Sequence, residues 1–414
     1  MGIVTGSISL RRYRVMGTLP SGGEAAAQIE KAIRAHTLVP LDPEKNPTET
    51  TAIGWASAFD EQDLDLSYAK VRVDGVMLLK LRIDTLKPSP ADIKRLTKQR
   101  KREIEAERKE PLSNAALREL KELITLDLRR KATPKTRTFD VLWNCDERRL
   151  YLSSQSKAAN EAFVRLFGQT FNIPLDIEGP GFWAEQAAKA AGTEKALRRL
   201  RPATELLAGF SGLRPDVAGD ITSSASDDAS DDKEPTQQAS DLLDQRFLGR
   251  EFLTWLIYHS DDTAGGGHFT VSESFRVLVG ERVRLKSMGE GGGEITANGV
   301  APAQTADVRY AIAGGSSVRE SSLMFCCGDQ IWAAAVTAEN FDMRRVKIPS
   351  LLSDEDSERI CERIDLILLL DRFLREAFTT FVLLRTAQRW QQVTLPAMRR
   401  WLDESINAEA RPSA

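Results

Sequence analysis

The sequence predicts an α+β fold: mixed or antiparallel sheets, a projecting charged helical arm and a long C-terminal helix. Three observations carry this expectation. Short alternating segments bounded by turn residues occur in runs, as in Phe269 to Val346, and do not alternate one by one with helices. A helix-forming stretch after Pro88 is polar nearly all round, which no buried helix tolerates. The apolar run Ile364 to Leu384 is interrupted by Asp365, Asp371, Arg372, Arg375 and Glu376, which argues for a buried amphipathic helix and against a bilayer span.

Taken in order, Ser7 to Met16 alternates as a strand through Ile8, Leu10, Tyr13 and Val15. A helix is expected from about Gly23 to His36, then a loop over Asp42 to Thr51 leading into Gly54-Trp55. Leu66 to Val73 and Val76 to Ile83 read as two strands turning at Asp74-Gly75, a strong hairpin signal. In Pro88-Ser89-Pro90, Ser89 can cap a helix and Pro90 fits its first turn. Over Ala91 to Glu110 only Ile93, Leu96 and Ile104 are sizeable apolar residues. A second helix from about Ser113 carries the stripe Leu117, Leu120, Ile124 and Leu128. Phe139 to Trp143 and Leu150 to Ser153 form a further strand pair, and Lys157 to Phe167 a helix closed by Gly168.

Thr222 to Asp241 is acidic, has no large apolar anchor and is expected to be disordered. Thr263–Gly267 and Gly289–Gly293 read as glycine-rich tips. Strands are expected over Ser321 to Cys327 and Ile331 to Val336, around a Gly328-Asp329 turn. Ser353, with Asp356 three residues on, is expected to start a helix reaching about Trp390. Its residues Leu366, Leu370, Phe373, Leu374, Phe378 and Phe381 are assigned to the core or a dimer seam. The resulting division is 1–86 and 138–215 for an α+β body, 87–137 for a basic helical arm and 216–243 for an acidic linker. A β-rich domain at 244–350 and a helical region at 351–414 complete it.

The 414 residues carry a formal charge of −3, yet Lys87 to Arg137 holds sixteen basic residues against eight acids. That surplus of eight leaves −11 on the rest of the chain, a segregation that points to a polyanion, first of all nucleic-acid phosphate. The expected contacts are Lys94, Arg95, Lys98, Arg100, Lys101 and Arg102 on one helix. Arg129, Arg130, Lys131, Lys135 and Arg137 follow at and beyond the end of the next. Such contacts are salt-dependent and blind to base sequence. No recognition-helix or zinc-finger pattern is present, and no aromatics interleave the block to stack single strands.

Other chemistry finds little support. The four cysteines form no disulfide framework and fit a reducing cytoplasm; Cys145 and Cys361 lack a C-x-x-C partner. Cys326-Cys327 reads as packing within an apolar strand. Three histidines, His36, His259 and His268, are too scattered for a metal triad. Asp261-Asp262 and Asp354-Glu355-Asp356 are the acid groups a nuclease would need, and they fall at a loop and a helix start. No catalytic residue, metal or cofactor is expected.

Read in order, these elements resemble the RdgC family of bacterial recombination-associated proteins. The resemblance rests on the N-terminal strand, Gly54-Trp55, Pro88 to Pro90 opening a charged helix, Trp143 on a strand and Lys157 to Ala159 starting a helix. Thr254-Trp255, the hairpin of Cys326 to Trp332 and an apolar C-terminal helix extend it. It is best from Gly54 to Leu175. The family resemblance implies a dimer closed into a ring whose positive hole surrounds double-stranded DNA without sequence preference. It also implies restraint of the RecA recombinase and a nucleoid-associated, cytoplasmic location. The expected function is thus non-catalytic binding of duplex DNA that limits recombinase access, with no membrane partner. The alternatives are a metal-dependent DNA exonuclease and a protein-interaction scaffold that does not bind DNA.

Overall fold

The computed structural model describes residues 2–18, 20, 24–46, 48–60, 62–203, 247–287, 293–299 and 301–409. The chain divides into two compact units, Val15–Asp176 and a discontinuous one made of Met1–Arg14 with Ile177–Ala414. Both combine helices with antiparallel sheet, so the class is α+β.

Strand β1 (Ile8–Val15) opens the chain. The continuous unit then runs through α1 (Ala25–Ala35), β2 (Thr51–Ser57), α2 (Tyr68–Val71), β3 (Arg72–Val73) and β4 (Val76–Thr85). It continues with α3 (Pro90–Arg108), α4 (Asn114–Lys131), β5 (Lys135–Asn144), β6 (Arg149–Leu152) and α5 (Lys157–Phe171). Its sheet has the order β2-β4-β5-β6, all antiparallel, with β3 folded back on β4 at Asp74-Gly75. Gly75 takes φ +82°, which an L side chain resists. Helix α5 lays Phe163 and Phe167 against Trp55 and Trp143, with ring centroids 6.3 and 5.3 Å apart. Trp55 also donates from Nε1 to Thr170 Oγ1 at 2.8 Å, satisfying its one polar atom inside the core. Each such ring contributes about 2–3 kcal/mol by leaving water.

Strand β7 (Leu175–Ile177) falls at the boundary of the units; in the discontinuous one α6 (Pro180–Ala191) and α7 (Glu194–Arg199) precede a helix at Phe247–His259. Strands β8 (Phe269–Ser272), β9 (Phe275–Lys286), β10 (Glu294–Asn298), β11 (Ser317–Cys327), β12 (Gln330–Thr337) and β13 (Met343–Lys347) follow. Their antiparallel order is β10-β9-β11-β12-β13-β1, with β8 beside β9. The helix Asp356–Thr386 buries Leu366, Leu370, Phe373, Leu374, Phe378 and Phe381, which places all six in the core. Phe378 meets Phe252 and Phe341 edge-on at 5.3 and 4.9 Å, while Phe373 stacks on Phe275 at 4.3 Å.

Several local expectations are corrected. Leu66 to Val73 is mostly not a strand: it forms the turn α2 before the short β3, with the Tyr68 N–H donating to Glu30 Oε2 at 2.8 Å. Gly54-Trp55 lies within β2, which the loop enters as expected; there Leu38 N–H donates to the Trp55 carbonyl and Trp55 N–H to the His36 carbonyl. A Cβ at Gly54 would fall 2.4 Å from Leu38 Cα, so only glycine admits that approach. Helix α5 passes through Gly168 and ends at Asn172, whose amide tolerates the left-handed conformation. Ser353 does not cap the C-terminal helix; Glu362 instead accepts the N–H groups of Leu352 and Ser353, and the helix begins at Asp356. That helix ends at Thr386, and after a wide turn at Trp390–Thr394 another runs Leu395–Glu409. A helix at Ala306–Ala313 interrupts the strands expected over Phe269 to Val346. Thr222 to Asp241 and most of Gly289–Gly293 lie outside the described residues.

Candidate nucleic-acid interface

All eleven expected phosphate contacts fall in the Val15–Asp176 unit, on α3, on the last turn of α4 and at the start of β5. Helix α3 forms because Ser89 Oγ accepts the Asp92 N–H at 3.4 Å and Pro90 fills the first turn. Helix α4 is capped alike, Ser113 Oγ accepting the Ala116 N–H at 3.2 Å. Between them, Lys109 ends α3 in the left-handed conformation, and Glu105 accepts the Leu112 N–H at 3.0 Å, tying the turn to the helix. The two helices pack on each other, yet no residue of either is fully buried. A pair so polar presents its charges to solvent along most of its length.

At 100° per residue, Lys101, Lys94, Lys98, Arg102 and Arg95 fall within an arc of about 120° on α3. Arg100 lies on the opposite side and pairs with Glu103 at 2.7 Å. Its position and partner remove it from the common face. Three of the five also meet a partner helix: Lys94, Lys98 and Lys101 join Lys121 of α4 around a groove of about 560 Å³ floored by Ile93 and Leu117. Lys121 was not among the expected contacts. The signal for it was the spacing Leu117-x-x-x-Lys121, which puts the lysine one turn from the apolar floor.

The remaining cations divide by their partners. Arg95 pairs with Asp92, Lys101 with Glu105 and Lys131 with Asp127, all at exposed i,i+3 or i,i+4 spacings that contribute a few tenths of a kcal/mol. Among the described residues no ion pair engages Lys94, Lys98, Arg102, Arg129, Arg130, Lys135 or Arg137. Arg129 is half-buried with Nε lacking a hydrogen-bond partner, and the Arg137 guanidinium lies 5.3 Å from the Phe139 ring. Lys135 and Arg137 are held in register by pairing with Thr85 and Ile83 of β4. Seven unneutralised cations on a helix pair and the strand after it can bind an extended anion through charge, with no geometry for reading bases.

Asp261, one of the acids a nuclease would need, is wholly buried and engaged. It accepts from Trp401 Nε1 at 2.8 Å and from Thr263 N–H and Oγ1, while Arg309 lies 3.3 Å away. These donors hold its carboxyl below the usual range although burial pushes the other way. Its carbonyl also accepts Gly265 N–H at 2.8 Å, so the residue anchors a glycine loop. Among the described residues no group of three or more His, Cys, Asp or Glu side chains is placed to hold a metal ion. Among them, too, no helix is long and apolar enough to cross a membrane.

No curated protein matches the chain. A family model described as "Putative exonuclease, RdgC" matches residues 9–178. That span contains the whole Val15–Asp176 unit and with it every residue of the candidate interface. Residues 9–178 of the chain are thus similar to the RdgC family, a likeness that supports a DNA-related, recombination-associated function.

Proposed function

We propose that the protein binds double-stranded DNA without sequence preference and without cutting it, as a homodimer that limits access of a RecA recombinase to the same DNA. The observation that carries the DNA reading is the common face of Lys94, Arg95, Lys98, Lys101 and Arg102 on a helix with no buried residue. Phosphates of a duplex backbone would displace counterions from that face and from Arg129, Arg130, Lys135 and Arg137. The absence of aromatics from the basic face, Phe139 beneath Arg137 apart, fits backbone contact better than base stacking.

A gel-shift titration of short duplexes across a salt series, with and without magnesium, tests this. If the seven unpaired cations each meet a phosphate, log Kobs should fall against log[salt] with a slope of about −6. Affinity should not depend on base sequence, and the DNA should remain intact in magnesium. The variant K94E/K98E/R102E should reduce affinity at least tenfold and flatten the slope by about 3. No binding at low salt would sink the reading. Loss of DNA only when metal is added would favour the exonuclease reading, to which the family description gives specific support.

A further inference from the structure

We infer that the outer face of the β9–β13 sheet, in the discontinuous unit, is a second contact surface for the backbone of duplex DNA; this inference rests on the DNA reading above. Strand β9 contributes Arg276, Arg282, Arg284 and Lys286. Strand β13 adds Arg344, Arg345 and Lys347. These residues lie outside the family match and are scattered in sequence, so no charge block announces them.

Strand register brings them together. Arg282 and Arg284 are opposite Asn298 and Thr296 of β10, and Lys286 is opposite Glu294. Across the sheet Arg284 is opposite Glu320 of β11, while Lys347 is opposite Ala333 of β12. Glu320 is the hub: Arg284, Arg344 and Arg345 approach its carboxylate at 3.8, 3.5 and 3.3 Å. Consecutive residues of a regular strand point to opposite faces, so Arg344 and Arg345 should not share one. They do because the register slips between the pairs made by Ala333 and Ala335, and Arg345 takes φ +49°. A left-handed arginine costs on the order of 1 kcal/mol, and here that strain places a second guanidinium on the cationic face.

The acids on this face do not cancel the cations. Glu320 is nearly buried and shared among three arginines, and Glu294 is taken by Arg284. Arg276, Lys286 and Lys347 are exposed and make no ion pair among the described residues, with Glu281 the remaining exposed acid on β9. The side chains between the cations are small or aliphatic: Gly280 faces Ser322 and Met324, with Leu278 and Ala333 nearby and half-buried. The aromatic residues of the same strands, Phe275, Phe325 and Trp332, point into the core. That division decides the ligand. A single strand is gripped by stacking on exposed rings, which this face lacks, whereas a duplex offers phosphates to a flat cationic surface. At ~3.3 Å per residue, Arg276 to Lys286 spans no more than roughly 33 Å, close to one turn of duplex.

The test uses the full-length protein with Arg276, Lys286 and Lys347, which have no buried partner to strand. R276E/K286E/K347E is compared with the wild type and with K94E/K98E/R102E in salt-series titrations with duplex and single-stranded probes. Expected are at least a tenfold loss of duplex affinity, a slope shallower by about 3, and an unchanged preference for duplex over single strands. A melting curve for each variant verifies folding, and R276Q/K286Q/K347Q replaces the reversal variant if that one is unfolded, with a smaller loss expected. Wild-type affinity and slope in the sheet variants, together with a loss in the helix variant, would overturn this inference and leave the helix face standing. Loss in the sheet variants alone would support it while removing the helix face. Unchanged binding by both sets, or a wild type that binds no duplex, would overturn both.

Discussion

Arg12 carries its charge where the side chain is entirely shielded from solvent, and Asp371, equally shielded, is its counter-ion. The guanidinium also donates to the Phe341 carbonyl and lies 5.1 Å from the Trp183 ring, and Arg375 reaches Asp371 at 3.2 Å. Removing the carboxylate charge would leave a buried arginine uncompensated, so D371N should cost about 3–5 kcal/mol, read as a lowered midpoint in urea. His259 is a different case, ringed by Trp255 and Phe269 at 4.6 and 5.3 Å. Burial lowers its pKa to about 4. Between the ordinary histidine value and about 4 the unfolded chain therefore binds more protons, and stability falls as pH falls through that window. H259F should remove this dependence, with the wild type losing on the order of 2 kcal/mol more than the variant between pH 7 and 4.5. Neither role was legible in the sequence. Asp371 read as an interruption of an apolar helix and His259 as one of three scattered histidines, because burial is a property of the packed chain.

Helices α3 and α4 were the most legible elements, since their caps, turn and polarity are all local. Ser89, Pro90 and Ser113 act as the sequence says they should. With no buried residue to hold them, the helices depend on these local terms more than a core helix would. S89A should then cost about 1 kcal/mol and raise amide exchange across the first turns of α3, the turns that carry Lys94 and Lys98. K109G should act in the other direction, stabilising by up to about 1 kcal/mol, because Lys109 holds φ +55°. A loss of stability in K109G would mean that the lysine side chain contributes more than its backbone costs. The elements that were misread depend on distant partners. Leu66 to Val73 has strand-like composition, but Glu30, thirty-eight residues away, captures the Tyr68 amide and makes a turn of it. The need for glycine at position 54 was likewise hidden, because the Leu38 backbone that approaches it comes from outside β2.

At the scale of the whole chain, composition recovered the class and the sense of the charge but not its full distribution. The block from Lys87 to Arg137 was visible because one helix pair keeps its cations contiguous. The second set was invisible because strands alternate faces and a bulge at Arg345 departs from that alternation. A linear charge count sums Glu294 and Glu320 with the arginines they neutralise and hides the surplus on one side of the sheet. The acids that raised the nuclease alternative show the same limit. Asp261 reads as half of an acid pair at a loop, yet it is buried and bonded to Trp401, 140 residues later.

Strand β1 pairs along one edge with β13, and Arg11 binds Asp342 across 331 residues of sequence. The edge of β1 that faces β13 therefore stays unpaired until that much later strand is made, while Val15–Asp176 can close on itself in the interval. Until then β1 carries Arg11 and Arg12 without their counter-ions Asp342 and Asp371. A change in β1 would thus be felt at Asp342 and Asp371, more than three hundred residues further along the chain.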